Sequence, residues 1–383
     1  MAMSGDPGGR RLRVAETLIE DAGDCFVVAE IGHNHQGSLE RAVELLRAAA
    51  DCGADAVKLQ KRDNRTLYTA DYFSRPYDHE NSFGATYGEH REFLEFGRDE
   101  YLELKRVAAE LGLVFLATPF DMPSVDFLAD LDLPAYKVAS ADLLNTPLLK
   151  HVAQIGKPVI VSTGAARFDD VRLAYETVAS INSQVALLQC TASYPPAWEE
   201  IDLRVVETYR REFPEAVIGL SSHDSGIAMA LAAYVLGARI VEKHFTLNRA
   251  MKGTDHRFSL EPQGLQKLVR DLRRARIALG DGKKRMYPSE AEPSVKMGKK
   301  LVAASALEPG HVLRPEDIAA KSPGDGLPPY EVDRFVGRRL RYPVPADSAL
   351  TFDLLEDFER EATLPPGRTA ASRVGIAAGS NGR

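Results

Sequence analysis

Cysteine and tryptophan are scarce in this chain of 383 residues, and long apolar runs are absent. The three cysteines, Cys25, Cys52 and Cys190, are too few and too widely spaced for a disulfide framework or a zinc site, which fits a reducing cytosol. No run approaches the ~18 consecutive apolar residues of a membrane-spanning helix. The polar, glycine-rich start MAMSGDPGGRR is not a signal peptide. We therefore predict a soluble, cytoplasmic protein with no membrane partner.

Positive charge is not in excess either. Lysine and arginine number 48 against 55 aspartates and glutamates, for a net charge of -7. This balance gives no electrostatic reason to expect nucleic acid as a partner, although an anionic small molecule needs only a local basic pocket. The length allows one large domain together with a smaller one.

Short β-branched runs alternate with amphipathic segments between residues 24 and 281. Eight such strand-then-helix units in about 255 residues predict a (β/α)8 barrel, with an open doubly wound sheet as the alternative on pattern alone. No GxGxxG follows a strand and no GxxxxGK[ST] occurs, so dinucleotide and P-loop sites have no support. The predicted strands are 25–31, 54–60, 114–118, 135–140, 158–163, 185–191, 216–221 and 239–245, with a polar insertion at 62–97.

The segments that flank this region differ from it in composition and in apolar pattern. Residues 1–23 are predicted to be an N-terminal extension, and the basic, Pro/Ser-containing segment 282–297 a linker. Short apolar runs separated by Pro-Gly turns predict a small β-rich domain over 298–357. The remaining residues, 358–383, are predicted to be a disordered tail.

Each predicted strand turns polar in its last residues. The active site of a (β/α)8 barrel lies at the carboxyl ends of the strands, so these residues are the candidate site. In VEKHF, residues 241–245, alternation places Glu242 and His244 on one face and Lys243 on the other. The candidates found in this way are Glu30, Lys58, Gln60, Thr118, Lys137, Ser140, Ser162, Ser221, His223, Glu242 and His244.

Lysines and histidines are the most informative of these candidates. Lys58 and Lys137 lie inside apolar strands, and two buried lysines that face one pocket favour an anionic ligand such as phosphate or carboxylate. Outward-pointing lysines with apolar stems are the alternative. His223 and His244 close adjacent strands, where two neutral imidazoles with a carboxylate and water suit a divalent cation. Further candidates are His33, His35 and His256.

Nine motifs occur in order over about residues 26–262: AEIGHNHQG, VKLQ, ATPFD, YKVAS, STG, LQCTASYP, GLSSHDSG, VEKHFTL and KGTDHRFSLEP. This set resembles the sialic acid (N-acetylneuraminate) synthase family, and the segment from residue 298 resembles the antifreeze-like (SAF) domain of those enzymes. The resemblance implies condensation of phosphoenolpyruvate with an N-acylmannosamine-type sugar, with release of phosphate. A related synthase of KDN-, legionaminic- or pseudaminic-type acids is the alternative. The resemblance also implies a divalent metal, Mn²⁺ or Mg²⁺, and a domain-swapped homodimer in which each SAF domain covers the partner's barrel.

Matched residue by residue, the resemblance implies metal ligation by His223 and His244. Glu30 lies at the reacting centre, and either Glu30 or Glu242 handles the proton of the attacking water. The resemblance also implies that Tyr194 and Asp255 contact the sugar. Lys299 lies near the start of the SAF domain, where family members use an arginine to reach the sugar, so it is the candidate for that contact. Phosphoenolpyruvate is assigned to Lys58, Lys137, Ser140, Ser162 and Ser221, with Gln60 and Thr118 lining the same pocket.

The acceptor sugar stays open at this point. NSFGATYGEHR, residues 81–91, and LQCT look more like the animal-type synthases, which use a 6-phosphorylated sugar. The basic segment with Lys283, Lys284, Arg285 and Lys296 is a candidate for that phosphate, although a solvated charge run is the better interpretation. Two other functions are alternatives: a metal-dependent aldolase that releases pyruvate without phosphate chemistry, and a non-catalytic binding protein, such as an ice-binding protein.

Overall fold

The computed structural model describes residues 9–356, which form two compact units divided between Gly280 and Asp281. The predicted tail, 358–383, lies outside the described residues. In the first unit, eight parallel strands close into a barrel surrounded by helices, which confirms the predicted (β/α)8 architecture. None of the helices within residues 9–356 has the length and apolar character needed to cross a bilayer.

A β-hairpin precedes the barrel, in the segment predicted as an extension. Strands β1 (Arg11–Val14) and β2 (Thr17–Glu20) pair antiparallel. Their side chains Leu12, Val14 and Ile19 pack with residues at the amino ends of the barrel strands, so the hairpin closes that end of the barrel. The hairpin was not predicted because each strand has only four residues and the turn at Ala15 (φ 51°) lacks the Asn-Gly or Asp-Gly signal.

The hairpin makes a testable contribution to stability. Ile19 is 1% exposed and its neighbour Leu18 is 40% exposed. We expect Ile19→Ala to lower the free energy of unfolding by about 2–4 kcal/mol, because it leaves a cavity in the packed barrel floor. The matched change Leu18→Ala should stay within about 0.5 kcal/mol of wild type. Denaturant unfolding measures both, and equal losses would contradict the packing described here.

The barrel strands follow one another around the closed sheet. In the register, β10 pairs with both β3 and β9, so the strand that carries VEKHF is not an edge. This pairing sets His244 beside Glu30 and Glu242 beside Ser221. The strands are β3 (Phe26–Gly32), β4 (Ala56–Lys61), β5 (Val114–Pro119), β6 (Tyr136–Val138), β7 (Val159–Ser162), β8 (Val185–Cys190), β9 (Val217–Ser222) and β10 (Ile240–His244).

The surrounding helices bury one apolar face against the barrel. In α1, for example, Ala42, Leu45, Leu46 and Ala49 are buried at helical spacing, and Ser38 caps the amino end by accepting from the Arg41 amide. The polar insertion is built from three short helices, α2–α4. The helices are α1 (Leu39–Asp51), α2 (Asn64–Leu67), α3 (Ala70–Phe73), α4 (Tyr87–Phe93), α5 (Arg98–Glu110), α6 (Met122–Asp130), α7 (Thr146–Gln154), α8 (Phe168–Ala179), α9 (Val205–Glu212), α10 (Ala228–Val235) and α11 (Pro262–Leu279).

The second unit is small and largely irregular. Strands β11 (Lys300–Ala303) and β12 (Ile318–Lys321) pair antiparallel over a compact apolar core that includes Leu301, Phe335 and Leu340. The segment predicted as a linker contains helix α12 (Ala291–Met297). This helix buries no residue, so it has no apolar period that the sequence could reveal.

Candidate active site

A cavity of about 540 Å³ lies at the carboxyl ends of the barrel strands. Every strand-end candidate lines it, and so do the two barrel candidates that came from the family resemblance, Tyr194 and Asp255. The strand-end residues are Glu30, Lys58, Gln60, Thr118, Lys137, Ser140, Ser162, Ser221, His223, Glu242 and His244. Lys299 belongs to the second unit, where its ammonium donates to the Ser322 hydroxyl at 2.6 Å. The strands thus bring together residues that are more than 200 positions apart in the chain.

Strand alternation decides which residues of VEKHF reach the cavity. Glu242 and His244 line it, whereas Lys243 lies on the opposite face of β10. There the Lys243 ammonium donates to the Asp224 carboxylate at 2.8 Å and to the Asp224 carbonyl at 2.6 Å. Lys243 therefore forms a buried structural ion pair with Asp224. It points away from the site, as strand alternation predicted.

Lys58 is a neutralised cation. Its ammonium lies 2.7 Å from the Glu30 carboxylate and 3.6 Å from that of Glu242, and it donates to the Thr118 hydroxyl at 2.9 Å. Burial alone would lower the pKa of Lys58, but the charges of Glu242 and Glu30 outweigh it and raise that pKa above its ordinary value. Lys58 therefore stays charged while the carboxylates compensate it.

Lys137 lacks a counter-charge of this kind. Its ammonium donates to the Ser162 hydroxyl at 2.5 Å and to the Val138 carbonyl at 3.0 Å, and the Glu242 carboxylate is 4.0 Å away. Burial lowers the pKa of Lys137, and Glu242 offsets this only in part. An ammonium that is 3% exposed and flanked by hydroxyls favours an incoming anion at this side of the cavity.

Two histidines face each other at the ends of neighbouring strands: His223 directly follows β9, and His244 is the last residue of β10. The ring centroids of His223 and His244 are 5.3 Å apart. His223 Nδ1 donates to the Thr191 carbonyl at 3.0 Å, which leaves Nε2 as the acceptor. Burial and then His244 lower the pKa of His223 to about 4, so its ring is neutral. His244 Nδ1 is buried without a hydrogen-bond partner and lies 3.6 Å from the Asp255 carboxylate.

This donor set fits a divalent cation held by two protein ligands. Imidazole nitrogens without hydrogen-bond partners are ligands that borderline metals prefer. Within residues 9–356, no group of three or more His, Cys, Asp or Glu side chains is placed to hold a metal ion. A cation at His223 and His244 would therefore complete its coordination with oxygen atoms of water or substrate.

Gly32 permits the polar side chains to converge. It adopts a left-handed backbone conformation with φ 52°, immediately after Glu30 and Ile31. A Cβ atom there would lie 3.2 Å from both the Gln60 amide nitrogen and the Glu30 carboxylate, and 3.4 Å from the Asp255 carboxylate. Glycine thus provides both the turn and the space beside these three groups.

Several cavity residues were not predicted. Arg62, Phe120, Cys190 and Phe258 line the cavity, and so does Arg91, on helix α4 of the polar insertion. Arg62 follows β4 directly, so the strand-end rule that found Gln60 would have reached it two residues further on. Arg91 has no such signal, because short helices in a polar insertion give no usable periodicity.

The three additional histidine candidates differ in whether they line the cavity. His33 lines the cavity, whereas His35 and His256 do not. His35 stacks on Phe96 at 4.1 Å between ring centroids, and His256 Nδ1 lies 2.7 Å from the Thr246 hydroxyl. Both are buried structural residues of the loops around the site.

The first unit is a closed (β/α)8 barrel, and ionisable side chains line a cavity at the carboxyl ends of its strands. This arrangement is that of a (β/α)8-barrel enzyme. The NeuB family model matches residues 45–284, and the SAF domain model matches residues 300–356. The chain belongs to the NeuB family, and it is an enzyme of the transferase class.

Proteins of similar sequence or structure support this family assignment. The N-acetylneuraminate-9-phosphate synthase of Homo sapiens is 39% identical over 334 residues, which cover 87% of this chain and 93% of the relative. The N,N'-diacetyllegionaminic acid synthase of Legionella pneumophila is 33% identical over 338 residues, covering 87% and 95%. The crystal structure of the N-acetylneuraminic acid (sialic acid) synthetase from Leptospira borgpetersenii has a TM-score of 0.65 at 33% identity, and the match covers 74% of this chain and 95% of that one. The resemblance to sialic acid synthases is thus confirmed.

Proposed function

We propose that the protein condenses phosphoenolpyruvate with an N-acylmannosamine-type aldose, releasing phosphate and forming a sialic (nonulosonic) acid. The observation that carries this proposal is Lys137, a buried ammonium with no close carboxylate, among the hydroxyls at one side of the cavity. The relatives support it, because they are named as synthases of N-acetylneuraminate 9-phosphate and N,N'-diacetyllegionaminic acid.

Phosphoenolpyruvate fits the part of the cavity lined by Lys58 on β4 and by the carboxyl ends of β6, β7 and β9. It carries a phosphate and a carboxylate, and two lysines with several hydroxyl donors complement both groups. Lys58 and Lys137 supply the cations. The hydroxyls are those of Ser140, Ser162 and Ser221, and the Gly164 amide fixes the Ser140 hydroxyl by donating to it at 2.9 Å.

A divalent cation, Mn²⁺ or Mg²⁺, is proposed at His223 and His244. When bound, it would supply Lewis-acid polarisation of the aldehyde carbonyl. The ring of Tyr194 packs at a tilt against His223, with 4.1 Å between centroids, and Asp255 lies beside His244. Tyr194 and Asp255 therefore orient the sugar so that its aldehyde faces the enol carbon.

In the proposed reaction, C3 of phosphoenolpyruvate forms a bond to the aldehyde carbon, and the aldehyde oxygen takes a proton. Water adds at C2, and the bond from C2 to the phosphate oxygen breaks as phosphate leaves. Burial raises the pKa of Glu242, but Lys137 and Lys58 outweigh it and hold that pKa below the ordinary value. Glu242 is therefore a carboxylate, and either it or Glu30 takes the proton of the water.

The proposed assembly is a domain-swapped homodimer in the cytoplasm. In this assembly the SAF domain of each chain covers the partner's barrel, and Lys299 supplies a cation to the sugar. Lys299 is exposed, as such a contact requires. A lysine offers a point charge there and not the planar fork of an arginine.

An acceptor panel tests the proposed function. The full-length protein is incubated with phosphoenolpyruvate, Mn²⁺ and one sugar at a time: N-acetylmannosamine, its 6-phosphate, mannose 6-phosphate, or a diacetylated bacterial hexosamine. We expect phosphate release in step with a product that is one pyruvate unit heavier than the sugar. Preference for the diacetylated sugar would favour the legionaminic-type alternative. A parallel incubation supplies a nine-carbon keto acid in place of phosphoenolpyruvate and the sugar. Pyruvate formed there, with no phosphate release in the panel, would support an aldolase and overturn the proposal.

A further inference from the structure

A second basic region lies on the β3–β4 side of the cavity, away from Lys137. It consists of Arg62, which follows β4, Arg91 on helix α4, and His33, which follows β3; we call these three residues the Arg62–Arg91 cluster. The mechanism proposed above does not use it. Arg62 is 7% exposed, and its guanidinium stacks on the Phe120 ring at 3.7 Å.

The cluster holds more positive charge than its neighbours neutralise. Asp255 acts on the cluster through its charge: burial lowers the pKa of Arg91, but its neighbours, Asp255 among them, outweigh burial and raise that pKa. Glu95 also lies beside the cluster, but one of its oxygens is taken by the Lys61 ammonium at 3.1 Å. The other oxygen is 4.0 Å from the Arg62 guanidinium. In the described part of the chain, no carboxylate pairs with Arg91, whose nitrogens Nε and Nη2 both donate to the Tyr87 hydroxyl at 3.0 and 2.8 Å.

His33 cannot satisfy both arginines. Its Nε2 lies 3.1 Å from the Arg62 guanidinium, and its Nδ1 lies 3.4 Å from that of Arg91. Burial, with Arg62 and Arg91, lowers the pKa of His33, so the ring is neutral. A neutral imidazole accepts at one nitrogen only, so one of the two arginines faces an N–H group. Guanidinium donors in the cavity wall are thus left for a ligand.

The position of the cluster links it to the sugar and not to phosphoenolpyruvate. Arg62 donates to the Gln60 amide oxygen at 2.8 Å, and the Gln60 amide nitrogen donates to Glu30 at 2.7 Å. Gln60 and Asp255 converge at Gly32. Lys137 and the hydroxyls of Ser162 and Ser221 come from other strands, β6, β7 and β9. Lys58 shares β4 with this region, but its ammonium lies 2.7 Å from the Glu30 carboxylate. A sugar whose aldehyde lies near His223 and His244 would extend past Gln60 toward the cluster.

We propose that the Arg62–Arg91 cluster binds a phosphate ester on the acceptor sugar, at the end remote from the aldehyde, and that Arg91 selects phosphorylated over unphosphorylated acceptors. This inference rests on the proposed function. Three carbons of the product come from phosphoenolpyruvate, so a phosphate at C6 of a hexosamine becomes a phosphate at C9 of the nine-carbon acid. Planar guanidinium groups match phosphate oxygens in pairs. The cluster replaces the basic segment at 283–296 as the candidate for this phosphate.

The test compares kcat/KM for N-acetylmannosamine 6-phosphate and for N-acetylmannosamine in wild type, Arg91→Gln and Arg91→Lys. The ratio of interest is kcat/KM for the phosphorylated sugar divided by kcat/KM for the unphosphorylated one. We expect Arg91→Gln to lower this ratio about ten- to a hundredfold, because a charge-assisted hydrogen bond to the phosphate is lost. Arg91→Lys should restore part of the ratio because it keeps the charge. The matched control is Arg65→Gln: Arg65 is exposed, pairs with Glu92 at 3.2 Å and does not line the cavity, so the ratio should not change.

Calorimetric binding of N-acetylmannosamine 6-phosphate without phosphoenolpyruvate separates this inference from the proposed function. Suppose that the protein releases no phosphate with any sugar, but that binding of the phosphorylated sugar weakens in Arg91→Gln. This result would support the phosphate site and overturn the proposed function. An unchanged ratio in an active Arg91→Gln enzyme would overturn the phosphate site and leave the proposed function intact. A rise in KM for phosphoenolpyruvate with an unchanged ratio would show that the cluster binds phosphoenolpyruvate, which also overturns the inference.

Discussion

Replacing Lys137 with methionine is expected to lower kcat/KM for phosphoenolpyruvate by about 10²- to 10³-fold, since a buried cation that contacts the anionic substrate is lost. The same change should leave the free energy of unfolding unchanged or slightly higher. The reason is that the Lys137 ammonium has no carboxylate closer than 4.0 Å, so an apolar side chain of similar volume removes a poorly compensated buried charge. Phosphate-release kinetics and denaturant unfolding measure the two effects.

Lys58→Met is the matched control, since both lysines are 3% exposed in the same cavity. Lys58 neutralises Glu30 at 2.7 Å, so its removal leaves a buried carboxylate without its cation. We expect a loss of about 3–5 kcal/mol in the free energy of unfolding, together with loss of activity. Equal stability losses in the two variants would contradict the assignment of Lys137 as the under-neutralised cation. Full activity in Lys137→Met would overturn the assignment of Lys137 to the phosphoenolpyruvate site.

Removal of divalent cations is the second change with a large expected effect. Dialysis against a chelator should lower turnover by at least about a hundredfold, and Mn²⁺ should restore it, because the aldehyde would lose its electrophilic activation. His223→Ala and His244→Ala should each weaken Mn²⁺ binding, measured directly by calorimetry or by electron paramagnetic resonance. The binding measurement does not depend on activity.

The control for the metal experiment is a histidine beside a carboxylate outside the cavity. His151 lies 2.7 Å from the Asp126 carboxylate on the barrel exterior, and His151→Gln should leave Mn²⁺ affinity unchanged. Equal turnover with and without chelator would contradict the metal proposal. So would Mn²⁺ affinity that survives the loss of both His223 and His244.

Much of the barrel was predictable because the sequence repeats one local pattern eight times. β4 was predicted at 54–60 and runs over Ala56–Lys61, and β10 was predicted at 239–245 and runs over Ile240–His244. Tyr194 and Asp255 came from the family resemblance. The cavity residues at the strand ends, by contrast, followed from the rule that strand ends face the site, and strand alternation separated Glu242 and His244 from Lys243. These features depend on local sequence alone.

Features that depend on contacts between distant segments were not predictable. The hairpin of β1 and β2 is held by packing on the barrel floor, and its strands of four residues carry no strong pattern. The different roles of Lys58 and Lys137 come from where Glu30 and Glu242 lie around the closed barrel. Arg91 reaches the cavity only because the polar insertion folds back over β3 and β4, which no local period indicates.

The fate of the bridging oxygen of phosphoenolpyruvate tests the proposed condensation most directly. The enzyme is supplied with Mn²⁺, the preferred acceptor and phosphoenolpyruvate that carries ¹⁸O between C2 and phosphorus. If water adds at C2 and the C2–O bond breaks, the released phosphate will contain the label, and the nine-carbon acid will carry a solvent oxygen at C2. Label retained in the organic product, or a keto acid formed without stoichiometric phosphate, would contradict the proposed function.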